Sequence, residues 1–413
     1  MTDHQWNVLP LKALYRRRET TGRPELPLLS VYRDLGVVAR EGRDDNWNKP
    51  GDDLSAYRVV RPGDLVLNKM KTWQGSLGVS AMEGIVSPAY FVCKQVARGE
   101  PRFLHHLLRS QPLINEYGKR SKGIRPSQWD LPWDEFREIK VQIPPLVTQR
   151  AIADYLDAET ARIDALIEKK RRMVELLREK RIALISEAVG YKIANRSYSG
   201  IQNGEGVRLR YIATINPPTP EFVLLASHAE IPFIPLEAVC FGNRLDVSRR
   251  RPKFAVETGY TRFREQDILV PKITPTFQAN RTVIAEGLEG GIAAGTTELH
   301  VVRVKPDADR RYVRYLLSSK SFLDEGEASM IGVAGQKRVP DEYLRNLIVP
   351  VVEIDQQRAI ADYLDAETTH IDALIARYTR TADLLAEYRK ALITSIVTGE
   401  TAVPLPDEEL MAA

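Results

Sequence analysis

Two short patterns contain residue types and spacings that can do chemistry. Asn216-Pro217-Pro218 opens like an Asn-Pro-Pro-aromatic run, in which the amide side chain and a backbone carbonyl hold an adenine amine for methyl transfer and the aromatic stacks on the flipped base. The fourth residue here is Thr219 and no glycine-rich cofactor turn lies upstream, so the segment reads as a turn. Glu138 and Lys140 stand at Glu-x-Lys spacing with Asp130 and Asp134 before them, a faint form of the carboxylate and lysine set that surrounds Mg²⁺ in metal-dependent phosphodiester cleavage. With 28% charged residues such spacing arises by chance, and a structural role is expected. GxGxxG after a strand, GxxxxGK(S/T) and HExxH are all absent. His105 and His106 have no thiol or carboxylate at ligand spacing, and Cys93 and Cys240 lie far apart; metal ligation and a disulfide framework are not indicated.

The elements that position such residues are set by a repeat. The 413 residues suffice for two or three domains, and 43% hydrophobic content suffices for packed cores. No run reaches the ~18 apolar residues of a membrane span and the first ten residues are polar, so a cytoplasmic protein is expected. Residues 149–167 and 357–375 are identical at 17 of 19 positions, an offset of 208 that persists through Arg181, Ala183, Leu184 and Ile185 onto Arg389, Ala391, Leu392 and Ile393. So long a period marks a duplicated domain. Leu156, Ile163, Leu177 and Leu184 form a seven-residue ladder with Lys170 as its polar rung; Leu166 and Met173 are read as the alternate row of a heptad seam. The second copy has Leu364, Ile371, Leu385 and Leu392, with Leu374 in the alternate row and Tyr378 at the place of Lys170. Prolines precede both copies, Thr148 and Asp355 are candidate N-caps, and Gly190 and Gly399 supply stops. Two helices of about 40 residues, each roughly 60 Å long, follow. They are expected to pair antiparallel with each other, a dimerising coiled coil being the alternative.

The expected architecture is α+β: globular α/β domains at 1–147 and 196–355, long helices at 148–195 and 356–399, and a disordered tail at 400–413. The net charge of +4 divides into +6, +2, +1 and −5 over 1–147, 148–195, 196–355 and 356–413. Basic loops with amides and aromatics recur at matching places in the two globular parts: Lys69, Lys71, Trp73 and Gln74, then Lys119, Arg120, Lys122, Arg125 and Gln128; and Lys272, Thr274, Gln278, Asn280 and Arg281, then Gln336, Lys337 and Arg338. Basic side chains position a protein on phosphates, and Arg, Lys, Gln and Asn present the geometry that reads purine edges.

The paired openings at 149–156 and 357–364, the Ile-Asp-Ala-Leu-Ile continuations, the run Gly63 to Leu67, Ser87 to Tyr90 and the loop Gly335 to Arg338 together resemble the specificity subunit of type I restriction-modification systems. The resemblance covers the chain up to about residue 400, although Asp267-Ile268-Leu269-Val270 lacks the glycine of the first copy. It implies two target-recognition domains, each reading half of a bipartite, asymmetric double-stranded DNA site. It implies helices that set the spacer and dock two methyltransferase subunits, with restriction and translocase subunits completing the complex. It also implies a chain without catalytic residues, metal or cofactor of its own, S-adenosylmethionine, ATP and Mg²⁺ belonging to the partner subunits. A nuclease or methyltransferase built on Glu138 or Asn216, or a coiled-coil structural protein, is the competing reading.

Overall fold

The computed structural model describes residues 6–33, 35–40, 53–123, 129–190, 206–333, 335–350 and 352–403. Most of the expected tail, 404–413, lies outside the described residues. The chain divides into two compact units, one of residues 1–169 with 381–413, the other of 170–380. Each unit therefore contains one globular part and a segment of both long helices.

In the first unit, β1 (Tyr15–Arg18), β2 (Leu65–Asn68), β3 (Leu77–Val79) and β4 (Tyr90–Gln95) form an antiparallel sheet in the order β1-β4-β2-β3. The continuous apolar run of β2 is buried on both faces: Leu65 and Leu67 join one core, Val66 another, as the two-residue period of a strand requires. Helices α1 (Pro101–Leu108) and α2 (Gln111–Arg120) cover the first of these cores, α1 contributing Phe103, Leu104, Leu107 and Leu108. The long helix α3 (Leu146–Ala188) follows.

The second unit repeats the plan. β5 (Ala213–Ile215), β6 (Ile268–Pro271), β7 (Val283–Ile284) and β8 (Leu299–Val304) pair antiparallel in the order β5-β8-β6-β7. Helices α4 (Arg310–Leu316) and α5 (Lys320–Ala328) come next and α6 (Ile354–Val397) closes the repeat. Asp64 and Asp267 open the two central strands alike. Asp64 accepts from the Arg61 amide at 2.9 Å and pairs with Arg18 at 2.8 Å; Asp267 accepts from the Arg264 amide at 2.8 Å and pairs with Arg303 at 2.7 Å. The missing glycine proves dispensable, because Gln266 adopts a left-handed φ of 73° where Gly63 has 87°.

Both long helices start before the expected caps. Leu146 begins α3 directly after Pro145, which leaves Thr148 in the first turn, and Asp355 likewise lies in the first turn of α6; a proline just ahead suits a helix start because it has no amide to leave unpaired. The junctions are held by glutamines instead. Gln149 accepts from the Glu100 amide at 2.9 Å and donates to the Pro144 carbonyl at 2.8 Å; Gln357 does the same with Asp309 at 2.9 Å and Val352 at 2.7 Å. Arg102 bridges Asp154 and Asp157, and Arg311 bridges Asp362 and Asp365. Gly190 and Gly399 end the helices in left-handed conformation.

The helices pair antiparallel within each unit. Leu156, Ile163, Leu364, Ile371 and Leu392 are buried, and Leu177, Leu184 and Leu385 are half-buried against them. The alternate row differs from expectation: Leu166 is 39% exposed, and Met173 and Leu374 are only half-buried. Ile167, Val174, Ile375 and Ala382 are buried in their place, because the second row lies four residues after each rung, not three. That row also contains Thr160 and Thr368, whose hydroxyls donate to the carbonyls of Leu156 and Leu364 at 2.6 Å, and Arg181 and Arg389. In the second unit Arg181 pairs bidentately with Asp372 at 2.9 and 3.2 Å; in the first, Arg389 pairs with Asp164 at 2.9 Å. These are repeat counterparts, yet the Arg181 side chain is 3% exposed and the Arg389 side chain 31%. Lys170 lies over the Tyr378 ring at 4.9 Å, so the one differing rung becomes a cation-aromatic contact.

The unequal burial predicts unequal costs. Removing one partner of a buried pair leaves the other charge uncompensated, so Arg181→Ala or Asp372→Ala lowers unfolding free energy by about 3 kcal/mol, whereas Arg389→Ala costs about 1 kcal/mol or less. Urea unfolding of the variants checks this, and equal losses would contradict it.

Stability also depends on a histidine of α1. His105 is half-buried, with Nδ1 3.3 Å from the Val79 carbonyl and Nε2 3.0 Å from Arg109 Nη1; desolvation, reinforced by the Arg109 charge, pushes its pKa down to about 3. A folded value below the unfolded one means the stabilisation is complete above about pH 6.5 and is lost as pH falls towards 3. Between pH 7 and 5 the loss is about 2 kcal/mol, and His105→Gln flattens this slope in pH-dependent denaturation.

Candidate nucleic-acid interface

After the central strand of each sheet, two segments distant in sequence converge. In the first unit the chain leaves β2 at Asn68, and the Lys69 carbonyl accepts from the Leu131 amide at 3.0 Å. In the second it leaves β6 at Pro271, and the Lys272 carbonyl accepts from Val339 at 2.8 Å. Leu131 and Val339 each follow a short hairpin closed by paired backbone hydrogen bonds, Lys122 with Asp130 and Ile331 with Arg338. The two basic loops expected in each half from sequence are therefore neighbours in space, in the same arrangement twice.

The side chains differ. In the first unit Lys71 and Gln74 are exposed around a short 3₁₀ turn, Thr72–Gln74, which Gly75 ends with φ of 92°. Trp73 donates from Nε1 to the Met70 carbonyl at 3.0 Å and packs on Trp129 with ring centroids 5.1 Å apart. Trp129 ends the second basic loop, and no spacing in the sequence ties it to Trp73. Lys69 lies 3.7 Å from Asp130; Lys119 and Arg120 pair with Glu116, and Lys122 with Glu135 at 2.8 Å. The hydrogen bond from Lys122 holds the Glu135 carboxyl below its usual range. Arg125 and Gln128 lie outside the described residues.

In the second unit the Thr274 amide donates to the Lys337 carbonyl at 3.0 Å, and Gln336, Lys337 and Arg338 are exposed. Arg338 pairs bidentately with Glu298 at 2.8 Å and 2.9 Å. Arg281 is half-buried, and Gln278 donates to Glu327. Ile331 and Val333, 71% and 76% exposed, sit in the same hairpin. Asn280 is a correction: it is 4% exposed, in left-handed conformation, and donates to the Ser318 carbonyl at 2.9 Å, so it shapes the loop from inside and presents nothing to a ligand. Lys71 and Lys337 are exposed cations with no ion pair among the described residues.

The two chemical patterns are also placed. Asn216 has φ of 51°, receives the Val301 amide on Oδ1 at 3.0 Å and lies 3.4 Å from His300 through Nδ2; its amide is spent on the turn. Glu138 pairs with Lys12, Asp130 with Lys69 and Asp134 with Arg137, so these carboxylates do not converge. Among the described residues no cluster of His, Cys, Asp and Glu is arranged to hold a metal ion, and no helix is long and apolar enough to cross a membrane.

No family model matches the chain. It is 32% identical over 207 residues to the type I restriction enzyme EcoEI specificity subunit of Escherichia coli, covering 49% of this chain and 34% of that protein. It is 34% identical over 195 residues to the EcoAI specificity subunit of the same organism, covering 46% and 30%. Over about half of its length this chain is similar to these two type I restriction enzyme specificity subunits. It spans about a third of the length of these two specificity subunits. A chain from a solved structure concerned with complex assembly and conformational transition of a type I R-M system superposes over 96% of this chain and 98% of its own, with a TM-score of 0.62 at 18% identity; it shares the fold. The specificity-subunit likeness and the twice-built loop arrangement thus rest on separate observations.

The burial of Asn280 separates it from its exposed neighbours. Asn280→Ala removes a buried hydrogen bond and strains a left-handed backbone, and is expected to cost about 2 kcal/mol. Lys71→Ala and Lys337→Ala change stability by less than about 0.5 kcal/mol. Thermal and urea unfolding distinguish the two classes.

Proposed function

We propose that this chain is the DNA sequence-specificity subunit of a type I restriction-modification complex. Each globular domain reads one half of a bipartite, asymmetric double-stranded DNA site. The antiparallel helices set the spacer between half-sites and dock two methyltransferase subunits, restriction and translocase subunits joining the full cytoplasmic complex. The chain itself is non-catalytic; S-adenosylmethionine, ATP and Mg²⁺ act in its partners.

One observation supports this reading above the others: the same convergence of a post-strand loop and a closed hairpin is built in both units, with exposed cations and amides in each but different side chains. Cations at Lys71 and Lys337 suit phosphates, and the amides of Gln74 and Gln336 suit base edges. An enzyme centred on Asn216 or Glu138 is disfavoured by the partners those side chains already have.

The decisive measurement is a map of methylated adenines in DNA from cells expressing the chain with its methyltransferase partner. Two half-sites separated by a fixed gap are expected; one continuous short sequence would overturn the reading. Exchange of residues 1–147 for those of a relative should change one half-site and leave the other and the gap unaltered. Lys71→Ala and Lys337→Ala should weaken binding of all sequences and each reduce the slope of log affinity against log salt by about 1.

A further inference from the structure

The second unit contains a cleft of about 430 Å³ that the proposed reading of DNA by loops does not use. Leu299 and Val301 of β8 line it, each 1% exposed. Pro217, Pro218 and Tyr260 also line it. The size lies within the range of about 300–1,000 Å³ found for small-molecule sites.

Charge in the cleft has one sign. Lys272 and Arg262 both line it, and no carboxylate does. Arg262 is already engaged, stacked 4.1 Å from the Phe222 ring and donating to the Glu257 carbonyl. Lys272 is different: it is half-buried and its ammonium has no ion pair or hydrogen bond among the described residues. Burial lowers its pKa, with Glu298 and Asp341 opposing and Arg338 adding to the shift. Glu298 is occupied by Arg338 and Asp341 by Arg345. A half-buried cation whose neighbouring carboxylates are already paired with arginines is stabilised by an added anion. Thr219, another lining residue, is 6% exposed and its hydroxyl has no hydrogen-bond partner among the described residues.

We propose that this cleft binds a single nucleotide unit, its base against the proline turn and Tyr260, and its phosphate on Lys272. Flat apolar faces with an adjacent cation are what a stacked base and its backbone require. The inference deepens the DNA-reading proposal and rests on it for the source of the ligand. Lys272 belongs to both features: its carbonyl holds the hairpin through Val339 and the residue lines the cleft. A nucleotide swung out of a duplex on that loop is therefore the natural occupant, and a free mononucleotide has the same chemistry.

The full chain tests this with its methyltransferase partner and duplexes of the mapped site, each with 2-aminopurine at one position. The variants are Thr261→Trp, which fills the cleft from a half-exposed strand position, and Lys272→Met, which keeps the stem and removes the charge. Binding of the DNA-borne nucleotide predicts a rise in emission at one position in a single half-site, suppressed by both variants, with unfolding midpoints within a few degrees of wild type. Base extrusion by the methyltransferase gives a rise that neither variant alters. Titration with dAMP, dCMP, dGMP and TMP is the second arm: binding that weakens roughly tenfold in Lys272→Met, the scale of one hydrogen bond to a charged group, supports the cleft with the free nucleotide as source. No variant-sensitive rise and no variant-sensitive mononucleotide binding overturns the cleft proposal. Failure to bind duplex at all overturns the DNA-reading proposal, and the mononucleotide arm then still decides the cleft.

Discussion

The structure depends on the seam between the two long helices. Neither helix has enough apolar surface to stand alone, and each globular core is completed by both of them. Leu156 of α3 and Leu392 and Ile396 of α6 join the core of the first unit, while Ile185 and Val189 from the α3 end and Leu364 of α6 join that of the second. The start of one helix and the end of the other thus meet in each core, and only antiparallel pairing brings them there. Arg181 with Asp372 and Arg389 with Asp164 hold the same register from both directions. Charges buried as deeply as Arg181 add little net stability over apolar residues; what they add is a penalty for every register that leaves an arginine unpaired.

The junctions between helix and globular part are equally constrained. Gln149 and Gln357 satisfy backbone groups on both sides of the joint, and Arg102 and Arg311 reach across to aspartates one turn apart on the helix. These contacts recur at repeat counterparts although the globular sequences have diverged. The parts held constant between the two copies are thus the joints and the seam, and the varied parts are the loops beyond the central strand. That division gives two surfaces of equal construction and different chemistry: a tryptophan pair beside Lys69 in one, a threonine and an exposed lysine beside Lys272 in the other.

The repeat, the helices and the leucine ladder were legible because they follow from period alone. The second seam row was not. Apolar residues stand both three and four residues after each rung, Leu166 beside Ile167 and Met173 beside Val174, and only the partner helix decides which is covered. The convergence of the basic loops was legible as recurrence but not as contact, since Lys69 and Leu131 are joined by the sheet and not by sequence. Asn280 shows the opposite failure. Between Gln278 and Arg281 it looked like a reader of bases; its left-handed backbone and the Ser318 carbonyl claim it for the interior. Trp129 has no periodic signature at the end of a basic loop, and its role comes from packing on Trp73.

The near identity of the helices raises a question of partner choice that the central rung answers. Each helix has both an aspartate and an arginine at the bridging positions, so the ion pairs form equally well between unlike helices of one chain and like helices of two chains. The apolar rungs, leucine, isoleucine, leucine and leucine in both copies, discriminate no better. Lys170 and Tyr378 do. Pairing α3 with a second α3 sets ammonium against ammonium in a half-buried place, whereas pairing it with α6 sets the ammonium over an aromatic face at 4.9 Å. Like-charge repulsion in one arrangement and cation-aromatic attraction in the other favour the unlike pair. The single position at which the ladders differ in kind is therefore where the duplicated sequence distinguishes its own two halves.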